Sequence, residues 1–191
     1  LAEPLNNQPF SSRAWMYIPV QDREFDLDRA KRLLAEAGYP NGFKTEFQTF
    51  SDVNRVDGCN VVVGQLKKIG IDATIRISDR APFYEACRKG EFGMAFRGDN
   101  EKLDPDDSFF SWFHSGEIDK NNWPRYQNKD LDALLEKGRA LWKWEDRLPI
   151  YQKIVEIVKE DLPILYLAKP INPSAWRDNL RGYAGGASTW L

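Results

Sequence analysis

The chain has 191 residues, of which 42% are hydrophobic, 13% aromatic and 29% charged, the balance of a folded domain rather than of a disordered segment. One core with appendages is expected, not two equal domains. The 27 Lys and Arg against 29 Asp and Glu leave a net charge of -2, without the positive excess that binding to a phosphate backbone needs, so nucleic acid is not an expected partner. No apolar run approaches the roughly 20 residues of a membrane-spanning helix, and residues 1–10 lack a basic segment followed by an apolar one.

Residues 1–21 carry Pro4, Pro9 and Pro19 with Trp15 and Tyr17 between them, which reads as an extended connector. Asp26 then caps a helix over 27–37, with Leu27, Ala30, Leu33, Leu34 and Ala37 on one face and Gly38 and Pro40 closing it. Residues 43–50 alternate with a period of two, a strand covered mainly on one face. A helix over 54–69 follows and Gly70 ends it. A second strand falls at 71–77, a short helix after Asp79 runs to Gly90, and a third strand spans 92–97. Strand, helix, strand, helix, strand with such connections makes right-handed crossover units and a parallel sheet, so the core is α/β.

Beyond Arg97 the chain turns acidic, with Asp99, Glu101, Asp104, Asp106 and Asp107, and then aromatic up to residue 122. This stretch reads as one long irregular connection. Two amphipathic helices come next, the first presenting Leu131, Leu134, Leu135, Gly138 and Leu141, the second Leu148, Tyr151, Val155, Val158 and Leu162. Residues 164–168 suit a short buried strand. Pro170, Pro173, Gly182, Gly185 and Gly186 mark an irregular tail.

Cys59 and Cys87 fall on apolar helix faces and read as buried thiols; the sequence leaves open whether they pair. His114 is the only histidine, and nothing stands at ligand spacing from it, so no metal site or cofactor is expected. The catalytic templates are absent: there is no Gly-x-Ser-x-Gly elbow, phosphate loop or dinucleotide fingerprint. The acidic loop lacks the order of a calcium loop.

Its position is more informative, because ligands of parallel sheets sit at the carboxyl ends of strands. Three loops qualify, at 51–54, 78–81 and 98–104. Arg80, Arg97, Gly98, Asp99 and Asn100 supply charge and hydrogen bonds there, and Trp112, Trp123 and Tyr126 offer surfaces for stacking.

The run from Phe25 through Asp26, Ala30, Leu33, Leu34, Gly38, Tyr39 and Gly42 to Phe43 resembles the signature helix of the family 5 extracellular solute-binding proteins, the dipeptide- and oligopeptide-binding components of ABC importers. The resemblance continues in order through 65–72, 90–95, 126–132, Arg147 with Tyr151, and 160–163, and covers about residues 4 to 184. It implies a periplasmic-binding-protein-like (type II) lobe, with a mostly parallel sheet, flanking helices and a helical pair near the C-terminus. It also implies a non-catalytic role: binding a peptide, sugar or other small solute in a cleft shared with an N-terminal lobe that has no counterpart here, and delivering it to a membrane permease. Residues 1–25 would then be the connector or hinge, 26–166 the ligand-binding lobe and 167–191 the return toward the other lobe. The implied location is periplasmic, or extracellular and membrane-attached.

Peptide binders of the family carry Gly-Trp after the third strand and an Asp for the peptide amino group. Here the match reads Gly98-Asp99, and the amino-group Asp falls on Lys102 or, with a gap, on Asp104. Apolar surface is expected at Trp15, Trp176 and Trp190. The alternatives are a small α/β hydrolase using the acidic loop, or a stand-alone interaction module using Trp112 and Trp123.

Overall fold

The computed structural model describes residues 2–5, 8–21, 23–98, 102–170, 177 and 179–182. In chain order its elements are β1 (Ala2–Pro4), α1 (Leu27–Glu36), β2 (Lys44–Phe50), α2 (Val53–Lys67), β3 (Asp72–Ser78), α3 (Arg80–Lys89), β4 (Met94–Ala95), α4 (Pro105–Phe113), a 3-10 turn at Ser115–Glu117, α5 (Lys129–Arg139), α6 (Trp144–Asp161) and β5 (Ala168–Pro170). They divide into two units. One gathers 1–22, 100–114 and 127–191, the other 23–99 and 115–126.

The second unit holds the sheet. Its order is β3-β2-β4, parallel throughout, with Lys44 opposite Asp72 through Phe50 opposite Ser78 and Phe47 opposite Met94. The period-two pattern of β2 sends Phe47 to a cluster with Cys59, Ala73, Val62, Val63 and Leu66. Phe50 goes to the opposite cluster with Phe83, Cys87 and Trp123. Residues 47 to 50 are therefore all buried, and β2 is covered on both faces, not mainly on one. The middle strand of a crossover sheet has helices above and below it, so alternation there sorts side chains between two cores.

Helix starts follow the sequence. Asp26 and Asp52 accept the backbone N–H of Arg29 and Arg55, and Gly90 ends α3 at φ 73°, a left-handed cap that suits glycine. At the other end of the sheet Gly42 (φ 73°) packs so closely on Gly70 (φ 90°) that a Cβ on Gly42 would overlap the Gly70 carbonyl. The amphipathic helix α1 has no buried residue, and Leu33 on its apolar side is half exposed.

Where the sequence suggests a third strand over 92–97, only Met94 and Ala95 form ladder pairs. The pairing goes on as single bonds: Phe96 N–H donates to the Gln48 carbonyl (2.8 Å) and Thr49 Oγ1 to the Phe96 carbonyl (3.0 Å). The 115–126 return is fixed by buried Asn122, whose amide bonds both the N–H (3.0 Å) and the carbonyl (2.8 Å) of Tyr126.

In the first unit β1 and β5 pair antiparallel, Ala2 with Pro170 and Pro4 with Ala168. The buried strand expected at 164–168 is thus a short exposed ribbon strand at Ala168–Pro170. The connector is tied by buried Gln8, which bonds the Ile18 carbonyl (2.6 Å) and N–H (3.3 Å), burying Phe10, Met16 and Ile18. The core beneath is Phe109, Phe113, Leu131, Leu135, Tyr151, Ile154, Val155 and Val158. The expected helical pair is present as α5 and α6. The irregular connection is not wholly irregular: α4 occupies its middle, capped by Asp104 with Pro105 in its first turn, and it buries Phe109, Trp112 and Phe113 at a spacing that one helix face presents.

Candidate functional site

The carboxyl ends of β2, β3 and β4 all open on one edge of the second unit. Phe50, the last residue of β2, has two guanidinium groups near its ring, Arg55 from the first turn of α2 at 4.5 Å from the ring centroid and Arg80, the first residue of α3, at 5.7 Å. Arg80 also lies 5.6 Å from the Tyr84 ring. Tyr84 meets Trp123 edge-on at 5.2 Å, and Arg97, just past β4, stacks on Trp123 at 4.0 Å. Arg55 closes the circuit by lying against Gly98, where a Cβ would come 2.7 Å from its Nη2. Three arginines are thus held on three aromatic faces, the arrangement favoured for guanidinium groups beside π systems.

Of the expected residues, Arg80, Arg97, Gly98 and Trp123 share this circuit. Asp99 and Asn100 lie outside the described residues, as do Trp176 and Trp190. Trp112 is buried in the first unit and stacks on Tyr166 (6.0 Å, 30°). Tyr126 is half-buried, its backbone held by Asn122. Arg55, Phe50 and Tyr84 are the members that sequence reasoning misses. The loop search stops at residue 54, one short of Arg55, although an arginine three residues past a capping Asp, after a strand end, points to the same edge. Its charge is partly met by Asp52 (2.9 Å). Arg80 has no carboxylate within ion-pair distance among the described residues.

Asp104, in the first unit, is committed elsewhere. Its carboxylate takes two N–H groups of Arg147 (2.8 and 2.6 Å) and the N–H of Asp106 (2.8 Å), while Arg147 also donates to the Tyr151 hydroxyl (3.2 Å). The bonds from Arg147 hold the Asp104 carboxyl below the usual carboxylate range, and burial pushes the Tyr151 phenol up to about 12. Cys59 and Cys87 are buried free thiols. Among the described residues no cluster of His, Cys, Asp and Glu could hold a metal ion, and no helix is long and apolar enough to cross a membrane.

A parallel sheet flanked by helices, with charged and aromatic groups gathered where its strands end, is the architecture of a periplasmic-binding-protein lobe. Solved structures of that class match it: the periplasmic binding protein DppA from Helicobacter pylori in complex with the peptide STSA (TM-score 0.79, 31% identity, 88% of this chain and 34% of that one) and HbpA2 from Haemophilus parasuis (TM-score 0.82, 31% identity, 88% and 34%). Residues 2–121 match the middle part of the bacterial extracellular solute-binding proteins, family 5, and the chain belongs to that family. Relatives include heme-binding protein A of Haemophilus influenzae (29% identity, 92% of this chain, 33% of the relative) and the oligopeptide-binding protein AppA of Bacillus subtilis (29%, 92% and 35%). The chain spans about a third of the length of these relatives.

Proposed function

We propose that this chain is the C-terminal lobe of the substrate-binding component of an ABC importer, and that it binds a peptide or other small solute at the carboxyl ends of β2, β3 and β4. The observation that carries this reading is the Arg55–Phe50–Arg80–Tyr84–Trp123–Arg97 circuit, which stands where a parallel sheet receives ligands in a chain of a solute-binding family. Arg80, Arg97, Gly98 and Trp123 are the proposed contacts from the described residues, with Asp99 and Asn100, next in the sequence, proposed beside them. Bound solute stabilises the closed arrangement of two lobes, of which residues 26–166 contribute one, with 1–25 and 167–191 as hinge and return segments. The role is non-catalytic, the location periplasmic or extracellular, and the partner a membrane permease.

The test is a thermal-shift screen of the complete protein carrying this segment, against di- and tripeptides, glutathione and neutral sugars. A solute present at a hundred times its Kd should stabilise it by about 2.7 kcal/mol. Turnover of a solute by the protein, or no stabilisation by any of them, overturns the reading.

A further inference from the structure

The sheet of the second unit is open on one side. In the order β3-β2-β4, β3 pairs with β2 alone, and among the described residues no strand adjoins its other side. Asp72 N–H donates to the Phe43 carbonyl (2.9 Å), and Ser51 N–H donates to the Ser78 carbonyl (3.1 Å). A parallel ladder uses both backbone groups of alternate residues, so Asp72, Thr74, Arg76 and Ser78 turn theirs to β2. Ala73, Ile75 and Ile77 turn theirs outward, where another chain can pair with them. The usual devices that blunt such an edge are missing: β3 runs seven residues in unbroken register, with no proline, lysine or bulge.

The side chains of β3 are incompletely covered as well. Ala73 is buried with Phe47 and Cys59, but Ile75 only partly, and Ile77 is 51% exposed. On the opposite face Asp72, Thr74 and Arg76 are exposed. Arg76 reaches Glu46 (3.4 Å), yet its side chain remains 64% exposed.

We infer that this open side of β3 is a docking surface for a second copy of the chain, the two β3 strands pairing antiparallel about a two-fold axis at Thr74. The order of charges along the strand picks out this partner. With Thr74 opposite Thr74 of the second copy, Asp72 of each copy faces Arg76 of the other, and two cross-strand ion pairs form. These are non-hydrogen-bonded pairs, whose side chains stand closest. Ala73 meets Ile75 of the second copy through the outward N–H and C=O groups, and Ile77 lies opposite Ile71 of the second copy. Other two-fold registers lose the match: centring on Ile75 sets Asp72 against Ser78 and Arg76 against Thr74, and centring on Arg76 sets that arginine against itself. The inference goes beyond the solute-binding reading, since the surface is the flank of the sheet and not the carboxyl ends of its strands.

The test follows the complete protein carrying this segment by sedimentation velocity over about a hundredfold range of concentration. Expected is a reversible monomer–dimer equilibrium. Asp72→Arg and Arg76→Asp should each weaken it by about tenfold or more, because each turns both ion pairs into like-charge pairs. Mixed in equal amounts, the two variants should dimerise again, which a variant that merely failed to fold would not do. Thr74→Cys, on the axis, should link into a disulfide dimer under mild copper–phenanthroline oxidation, because the two cysteines face each other within disulfide reach. Ser78→Cys, at the strand end, should not. Protein that stays monomeric throughout, a dimer of unchanged strength in Asp72→Arg, no recovery on mixing, or Ser78→Cys linking as fast as Thr74→Cys would overturn the docking surface.

Discussion

Removing either partner of the Arg147–Asp104 pair should destabilise the first unit, but by unequal amounts. The side chain of Arg147 is only 9% exposed and that of Asp104 is 43% exposed. In R147M the apolar replacement fills the buried space, and the stranded Asp104 carboxylate turns to water while keeping its bond to the Asp106 N–H. Breaking a fully buried pair costs about 3–5 kcal/mol, and this exposure brings R147M to the low end, about 2–3 kcal/mol. D104A leaves the guanidinium buried without its anion and also removes the cap of α4, worth about 1 kcal/mol, so about 4 kcal/mol or more is expected.

Urea unfolding followed by circular dichroism at pH 7 measures the two losses. Acid supplies a second check. Because Arg147 depresses the Asp104 pKa in the folded state, the stabilisation is complete above the unfolded value near 3.9 and fades as pH falls through the folded one. The gap between wild type and D104A should therefore narrow below about pH 4. A loss in R147M equal to or larger than that in D104A, or a gap as wide at pH 3 as at pH 7, would refute the assignment of Arg147 as the buried member and Asp104 as its water-facing partner.

Three further outcomes are expected. Native Cys87, whose thiol burial pushes up to about 11, should resist a thiol-directed dye at pH 8 together with Cys59, and both should label fully in urea; rapid labelling of the native chain would contradict their burial. Gly42→Ala should cost roughly 3 kcal/mol, combining left-handed backbone strain with the overlap on Gly70, whereas Gly64→Ala, in open space on α2, should gain about 0.5–1 kcal/mol; equal effects in denaturant melts would contradict the close approach. Leu162, which ends α6 in a left-handed conformation at φ 47°, should accept glycine with a gain of about 1 kcal/mol, read as a higher melting temperature.

The regular elements were legible where one physical signal dominated. Capping Asp26 and the spacing of Leu27, Ala30 and Leu34 place α1 almost to the residue, and alternation places β2 and β3. Legibility failed where two signals competed. In 98–122 the acidic and glycine-bearing composition masked α4, although Asp104-Pro105 followed by Phe109, Trp112 and Phe113 is a helix start with one apolar face. The one-sided reading of β2 missed that a central strand divides its side chains between two cores. At the candidate site, strand ends located Arg80 and Arg97 because topology decides where loops open, while Trp123 was named only as a surface for stacking. The same reasoning had no means of telling that Trp112 packs on Tyr166, since an aromatic in a loop and one on a hidden helix look alike in composition.

The wall of aromatic side chains over α3 is not made from one stretch of chain. Phe50, Phe83 and Tyr84 belong to the run up to residue 99, but Trp123 arrives on a twelve-residue return, 115–126, after the chain has left that unit to form α4. The sheet and its two helices are built from neighbours in sequence and can assemble early, whereas the tryptophan must wait for a longer loop to close, a step whose entropic cost delays it. During synthesis, then, the platform for Arg97 is finished last, and a nascent chain halted before residue 123 would carry a formed sheet with an open, sticky flank.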